Sequence, residues 1–475
     1  MKKVIVVYDD TVKVPNNIKT VIGKTSYGNI ILKRKTVFER FSEIINNMKD
    51  IEIIKISNII KYYNEIKNIN QNVSIIHIFS NYAIKNYEEF KVLIEKIPYI
   101  NENYKIISDN KLIGLAFNEI EQYKSFLKAF KDVEDVQEQV MQYSEIKTEA
   151  FMDISNYNNL LTYISGGFDA RFFNSLEGNE YIVTKKSTNK KKIKQEYCYY
   201  GLLPDDMKKW MVMPYDYKED EKTSQYTMER LHMTDIAIRW THKAIDEEEF
   251  INILNKSFYY IVNRTKKSIS KEKYEELENE LYINKVKKRI EELKKDKLFK
   301  KFDMFIKSGT EFNSIDEIFE FYMQKYKKLS KVKKENIAVI GHGDLCFANM
   351  LYSKETDMLK LIDPKGALTE DELWTNPYYD IAKLSHSICG NYDFFNCSSY
   401  SIGLNTNLQY ELKVYNDNNR AKEIFKNIVE ENGYSYELVR LYEASLFLSM
   451  LPLHMDYPHK VFGFLLNAIN ILKEI

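Results

Sequence analysis

Three residues in the string IAVIGHGDLCFANMLY (337–352) and its sequel LKLIDPKGA (359–367) have the types and spacing for chemistry: Asp344, Asn349 and Asp363. A strand-like run, IAVIG, delivers His342 and Asp344 onto a loop, and Asn349 follows five residues after the aspartate. A hairpin-length gap then leads to a second strand, LKLID, that ends on Asp363. Two carboxyl groups and one amide are thus expected at the ends of adjacent strands. Phosphoryl transfer needs this set: one carboxylate to orient and deprotonate a hydroxyl, and an Asp/Asn pair to hold Mg²⁺ on the phosphates. Its loose transition state asks for positioning and charge neutralisation more than for covalent chemistry.

H-G-D-x-x-x-x-N followed by I-D-x-K-G resembles the aminoglycoside phosphotransferase and choline kinase family, whose fold is similar to that of protein kinases. The resemblance implies that Asp344 is the catalytic base and that Asn349 and Asp363 are the metal ligands. It also implies that His342 shapes the loop. Asp380, in NPYYDIAKLSHSI (376–388), would brace it. The expected co-substrate is ATP or GTP with Mg²⁺.

Such a loop needs a nucleotide-binding lobe ahead of it. Ser165, Gly166 and Gly167 stand in a glycine turn that could approach phosphates without side-chain clash. After a tight turn at Glu177-Gly178-Asn179, YIVTKKS offers Lys185 to the phosphates, with Lys186 as the alternative. Strand alternation lets only one of the two face inward. Glu196, in the following helix, is the candidate partner of that lysine, or else a solvated helix charge. Met228, Glu229 and Leu231 resemble the hinge that would hydrogen-bond a purine, although Met228 also suits a core. Trp374, Tyr378, Tyr379, Asp393 and Tyr457 could box a cationic acceptor, or pack as core.

The elements that must position these residues fall into two textures. Residues 1–135 alternate apolar runs (KVIVVYD, IEIIKI, VSIIHIF, YKIIS, LIGLAF) with helical patterns such as VFERFSEIINNM and YEEFKVLIEKI. That order predicts an α/β domain with a largely parallel sheet. It faintly resembles sugar-1-phosphate and choline-phosphate nucleotidyltransferases. The first strand lacks their glycine-rich loop, with no glycine until Gly23, and VSIIHIFSNY ends in Asn81 where they carry an aspartate. The expectation is therefore an inactive or repurposed domain, serving a homodimer contact or substrate delivery.

Polar residues 136–154 read as a linker. Residues 155–235 read as an antiparallel N-lobe that opens with a strand at YIS, and 236–475 as a helical C-lobe. Within the C-lobe, Ser314 and Glu317 form a capping-box pattern before IDEIFEFYMQKYKKL. The fold class expected is thus α/β followed by a bilobal, protein-kinase-like α+β unit.

Composition sets the outer bounds. The 475 residues carry 69 Lys plus Arg against 69 Asp plus Glu, so no global field draws in nucleic acid or anionic membrane. Four scattered cysteines, Cys198, Cys346, Cys389 and Cys397, suit neither a zinc ribbon nor a secreted disulfide framework. SLFLSMLPLHMDY is too short to span a bilayer and is broken by Pro452. A cytoplasmic protein is expected, with a nucleotide and a small-molecule acceptor as partners. The acceptor would be an amino alcohol, amino acid or sugar, for surface-glycan or capsule precursors. A protein kinase and a non-catalytic nucleotide-binding scaffold are the rival readings.

Overall fold

The computed structural model describes residues 2–32, 34–68, 72–130, 136, 140–164, 174–178, 181–332 and 335–475. It divides into two units: residues 1–170 with 242–244, and residues 171–241 with 245–475.

In the first unit the five apolar runs become five strands of a six-stranded sheet. Its order is Ile51–Ile56, Lys3–Asp9, Val73–Phe79, Lys111–Phe117, Tyr104–Ser108 and Ser144–Lys147. All neighbours are parallel except those of Lys111–Phe117, which runs against both. Every residue of the central strand Val73–Phe79 is buried, as expected for a strand covered on both faces. Thr36 caps the helix Val37–Asn46 through a full capping box with Glu39.

Two boundaries differ from the sequence reading. Residues 136–154 belong to the first unit, where Ser144–Lys147 closes the sheet edge and Phe151–Asp153 pairs with Tyr82–Ile84. Tyr163 and Ile164 of the YIS segment end a helix, Tyr157–Ile164, in place of the expected strand, and Ser165 lies outside the described residues. Its apolar face, Leu160, Tyr163 and Ile164, has helical i, i+3, i+4 spacing.

The second unit opens with a four-stranded antiparallel sheet in the order Asn174–Gly178, Ile182–Ser187, Ser224–Glu229, Pro214–Glu219. The helix Lys190–Leu202 packs on it, capped by the Asn189 side chain. Beyond it the chain is mostly helical. The helix Tyr436–Met450 is buried around nearly its whole circumference, and its Tyr442 ring stacks on Tyr282 at 3.7 Å. Three small β elements lie among these helices: the hairpin Met350–Ser353/Met358–Leu361 with Thr234–Asp235 at its edge, a sheet of Lys266–Ser268, Ile337–Ile340 and Trp374–Thr375, and the hairpin Tyr400–Leu404/Tyr410–Val414.

The helix Ile315–Leu329 starts at Ser314, whose hydroxyl accepts from the Glu317 N–H. The reciprocal arm goes to the Asn313 N–H, so the expected box closes one residue early. No helix among the described residues is long and apolar enough to cross a membrane. All four cysteines are free.

Candidate active site

The strand Ile337–Ile340 ends at Gly341, and the next residues form the loop carrying His342 and Asp344. This loop is held by one buried carboxylate. Asp380 Oδ2 accepts from the His342 N–H (2.9 Å) and Oδ1 from the Gly343 N–H (2.8 Å). Its charge is matched by Arg264, whose Nη1 donates to Oδ2 at 2.6 Å, and both side chains are wholly buried. Arg264 Nη2 also donates to the Pro377 carbonyl at 2.6 Å, which fixes the start of the Asp380 helix, Tyr379–Ile388. Charge-assisted bonds of this kind are the strong ones.

His342 is buried, and burial pushes its imidazole pKa down, towards the neutral form. Its Nε2 lies 3.0 Å from the Ile362 carbonyl, and Nδ1 lies 3.3 Å from the Asp344 N–H. A neutral ring with its proton on Nε2 satisfies both contacts. His342 thereby links the Asp344 loop to the strand that leads into Asp363.

Asp344 stands on the outer side of this frame, its side chain 40% exposed. Burial raises its pKa, but the Lys383 ammonium, 2.8 Å from Oδ1, overrides that and holds it at about 2. Asn349 Nδ2 donates to the Asp344 carbonyl (2.9 Å) and to Oδ2 (3.1 Å). With the amide nitrogen spent on Asp344, its carbonyl oxygen remains as a donor to a metal.

Asp363 follows the hairpin strand Met358–Leu361 and has φ +55°, a left-handed conformation uncommon outside glycine. Its Oδ1 meets Lys185 Nζ at 2.9 Å. Lys185 Nζ also donates to Glu196 Oε2 at 2.7 Å, which settles the orientation of the Lys185/Lys186 pair. Glu196 Oε2 accepts from the Tyr226 hydroxyl at 3.0 Å, and Lys192 pairs with Oε1 at 3.1 Å. Burial lowers the Lys185 pKa, but Asp363 and Glu196 outweigh it and the net direction is upward.

Two glycines make these approaches possible. Gly366, at φ +84°, passes so close to the Glu196 helix that a Cβ would lie 2.6 Å from the Gln195 carbonyl carbon. Its neighbour Ala367 donates its N–H to the Gln195 carbonyl at 3.1 Å. Gly343, at φ +78°, lies against Lys365, whose Cβ would be 2.5 Å from an added Cβ. The K-G of I-D-x-K-G is therefore where the Asp363 loop touches both the Asp344 loop and the Glu196 helix.

The structure brings Lys185, Glu196, Asp344, Asn349 and Asp363 into one connected set. Ser165, Gly166 and Gly167 lie outside the described residues. Met228 and Glu229 end the strand Ser224–Glu229, and Leu231 follows, beyond an Arg230 N–H that donates to the Tyr181 carbonyl at 2.8 Å. The proposed aromatic box is not assembled by ring contacts: Tyr378 packs on Tyr434 and Tyr442, Tyr379 on Tyr282, and Lys267 sits over Trp374 at 4.0 Å.

Sequence reasoning missed Lys383, Arg264 and Tyr199, whose hydroxyl donates to the Gly341 carbonyl at 2.9 Å. Lys383 carried no local signal, since the same helix also bears Ser385, His386 and Ser387 and nothing in its spacing points to Asp344. Arg264 carried none.

Residues 253–363 match the ecdysteroid kinase-like family. The matched stretch includes Arg264, His342, Asp344, Asn349 and Asp363, and it falls well short of half the chain. The matched stretch is the one that carries the motifs resembling aminoglycoside phosphotransferases and choline kinases. No curated protein matches the chain.

Among solved structures, a thermostable mutant of aminoglycoside phosphotransferase APH(4)-Ia with ADP and hygromycin B is similar at 10% identity. That overlap covers 66% of this chain and 97% of the other, with a TM-score of 0.37. Aminoglycoside 2'-phosphotransferase-IIIa with GDP gives 12% identity, 65% and 92% coverage, and a TM-score of 0.39. The Streptomyces rimosus aminoglycoside phosphotransferase APH(3'')-Id, with ADP and streptomycin, gives 12%, 57% and 86%, and 0.32. Overlaps at these scores carry no weight beside the chain's own geometry.

Proposed function

We propose that the second unit is a small-molecule kinase, moving the γ-phosphoryl group of ATP or GTP to a hydroxyl of an amino alcohol, amino acid or sugar. The observation that carries the reading is the shared lysine. One ammonium, Lys185, bridges the buried Glu196 and the half-open Asp363, next to the Asp344–Asn349 pair. A structural salt bridge needs no second carboxylate left facing solvent.

The donor set fits Mg²⁺. Asp363 has one oxygen on Lys185 and the other unspent by it, Asn349 offers a carbonyl oxygen, and hard oxygen donors suit this ion. No cluster of three or more His, Cys, Asp or Glu able to hold a metal occurs among the described residues. Mg²⁺ commonly takes only one or two protein carboxylates and fills its other positions with phosphate oxygens and water. When bound, it would neutralise charge on the nucleotide's phosphates.

The protein's own groups divide the remaining work. Lys185, anchored by Glu196, meets the phosphates of the nucleotide. Asp344 accepts the proton of the acceptor hydroxyl as its oxygen bonds to phosphorus. Asp380, Arg264 and His342 hold that carboxylate in place. Typical general-base catalysis contributes about 10²–10⁴-fold.

A small acceptor is favoured over a polypeptide because the run from Pro364 to Tyr378 holds a short turn and strand before the next helix, with no long loop to bind a substrate chain. A role in surface-glycan or capsule precursor supply rests on the resemblance of residues 1–135 alone. In that unit Asp9 and Asp10 are both committed to protein partners, which favours a non-catalytic role there. The test is nucleoside diphosphate release from Mg-ATP or Mg-GTP across a panel of choline, ethanolamine, serine, glycerol, hexoses and an aminoglycoside. One acceptor should stimulate release. Failure to bind either nucleotide would remove the reading.

A further inference from the structure

Lys383 has no assigned role, yet its surroundings are specific. It lies one turn after Asp380 on the helix Tyr379–Ile388, so the Asp380 bonds that fix the catalytic loop also fix where this lysine emerges. Its side chain is only 14% exposed, and its Nζ is 2.8 Å from Asp344 Oδ1. An ammonium has three N–H donors. Among the described residues, Asp344 is the one acceptor that Lys383 Nζ is paired with. Lys185, more deeply buried at 6% exposure, divides its donors between two carboxylates.

Burying an ammonium with unspent donors is costly unless something else receives them. The neighbours do not offer a further anion. Tyr379 is a buried phenol that already accepts from Lys285 Nζ at 3.0 Å. Lys192, the other lysine acting on Asp344, is paired with Glu196. Two lysines, Lys383 and Lys192, therefore act on the Asp344 carboxylate, and only Lys383 pairs with it directly.

Resting on the kinase reading, we propose that Lys383 is a further catalytic residue: its remaining donors receive the equatorial oxygens of the phosphoryl group as it crosses from the nucleotide to the acceptor held at Asp344. In this step the bond between the γ-phosphorus and the β–γ bridging oxygen breaks, and the diphosphate leaves with the electron pair. The acceptor oxygen bonds to phosphorus, its proton goes to Asp344, and Lys383 keeps its own protons. Charge in the loose transition state is spread over the three equatorial oxygens. Lys185 approaches that group from the Asp363 side and Lys383 from the Asp344 side.

The test needs no identified acceptor. Dissociation constants for Mg-ADP are measured with and without fluoroaluminate, a mimic of the phosphoryl group in transit, on the wild type, Lys383→Met, Lys383→Gln and Lys383→Arg. Fluoroaluminate should tighten wild-type binding by about a hundredfold, the lower end for transition-state mimics. Lys383→Met should lose most of that gain with Mg-ADP affinity unchanged within about threefold, and Lys383→Arg should recover part of it.

Lys383→Gln keeps a hydrogen bond to Asp344 without the charge, and it decides the matter where the methionine variant does not fold. A gain retained in Lys383→Gln or Lys383→Met means that the lysine only props up Asp344, and overturns the proposal. So does a wild type that binds Mg-ADP with no gain from fluoroaluminate, or a variant that loses Mg-ADP in equal measure. A wild type that binds no Mg-ADP at all removes the kinase reading itself, a separate outcome.

Discussion

Asp9 in the first unit and Asp363 in the second stand at comparable places, each at the end of a strand and each beside a basic side chain. Asp9 is wholly buried. Its Oδ1 accepts from the Thr11 N–H and hydroxyl at 2.9 and 2.6 Å, and its Oδ2 meets His77 Nε2 at 3.1 Å. The far side of that ring contacts the Tyr123 hydroxyl at 3.0 Å. Asp363 is 36% exposed, has a strained φ, and gives one oxygen to Lys185. The same residue type thus closes a polar network in one unit and leaves one open in the other. An aspartate whose acceptor capacity is consumed by its own fold stabilises that fold. One held open against a cost in strain and desolvation is available to a ligand.

The sharpest way to break this comparison is at the open site. Asp344→Asn keeps shape and removes the base, so turnover should fall about 10²–10⁴-fold with Mg-nucleotide affinity unchanged within about threefold. Steady-state rates and calorimetric titration check the two halves. Retention of more than about a tenth of the activity would falsify the assignment of the base.

Next comes the brace. Arg264→Met leaves the Asp380 charge buried without its partner, which should cost about 3–5 kcal/mol of unfolding free energy, read from the urea midpoint. A loss under about 1 kcal/mol would mean that the pair does not hold the loop. Asp363→Asn should weaken Mg-nucleotide binding by at least about tenfold, as expected when an anionic ligand is lost. Affinity equal to the wild type would place the metal elsewhere.

The closed network should respond in stability alone. Asp9→Asn disturbs hydrogen bonds buried among Thr11 and His77, at about 1–3 kcal/mol, and should leave phosphoryl transfer at its wild-type rate. A collapse of transfer in that variant would break the contrast between the two units.

The smallest expected effect is in pH dependence, and the two units should differ in sign. Burial opposes ionisation of Asp9, but His77 and Thr11 take its pKa below the ordinary value. Its contribution to stability is present above about pH 4 and lost as pH falls through the lowered pKa. In the second unit, burial pushes Asp393 up to about 6, and its Oδ2 has no hydrogen-bond partner. Protonated Asp393 is favoured on folding, so its contribution is complete below about pH 4 and lost as pH rises towards 6. Asp393→Asn should flatten the fall in thermal midpoint between pH 4 and 7, and an unaltered slope would reassign it.

What could be read from the sequence follows from how local the information was. His342, Asp344, Asn349 and Asp363 come from one strand, one loop and one hairpin, so their spacing already encodes their meeting. Lys185 and Glu196 were legible as a strand followed by a helix, although only the fold shows which lysine points inward. The edge strand Ser144–Lys147 was not legible, because three of its four residues are exposed and no apolar alternation marks it. Arg264 and Lys383 act on partners far along the chain, 116 residues away for Arg264 and Asp380. Packing, which no local pattern records, makes those contacts.

The most direct test of the central claim is ³¹P NMR of the full chain with Mg-ATP or Mg-GTP and each acceptor of the panel. The account predicts, for at least one acceptor, a new phosphomonoester resonance that grows as the nucleoside diphosphate signals appear, and that is absent with Asp344→Asn. A phosphomonoester formed equally by Asp344→Asn, or no nucleotide binding by the wild type, would contradict it.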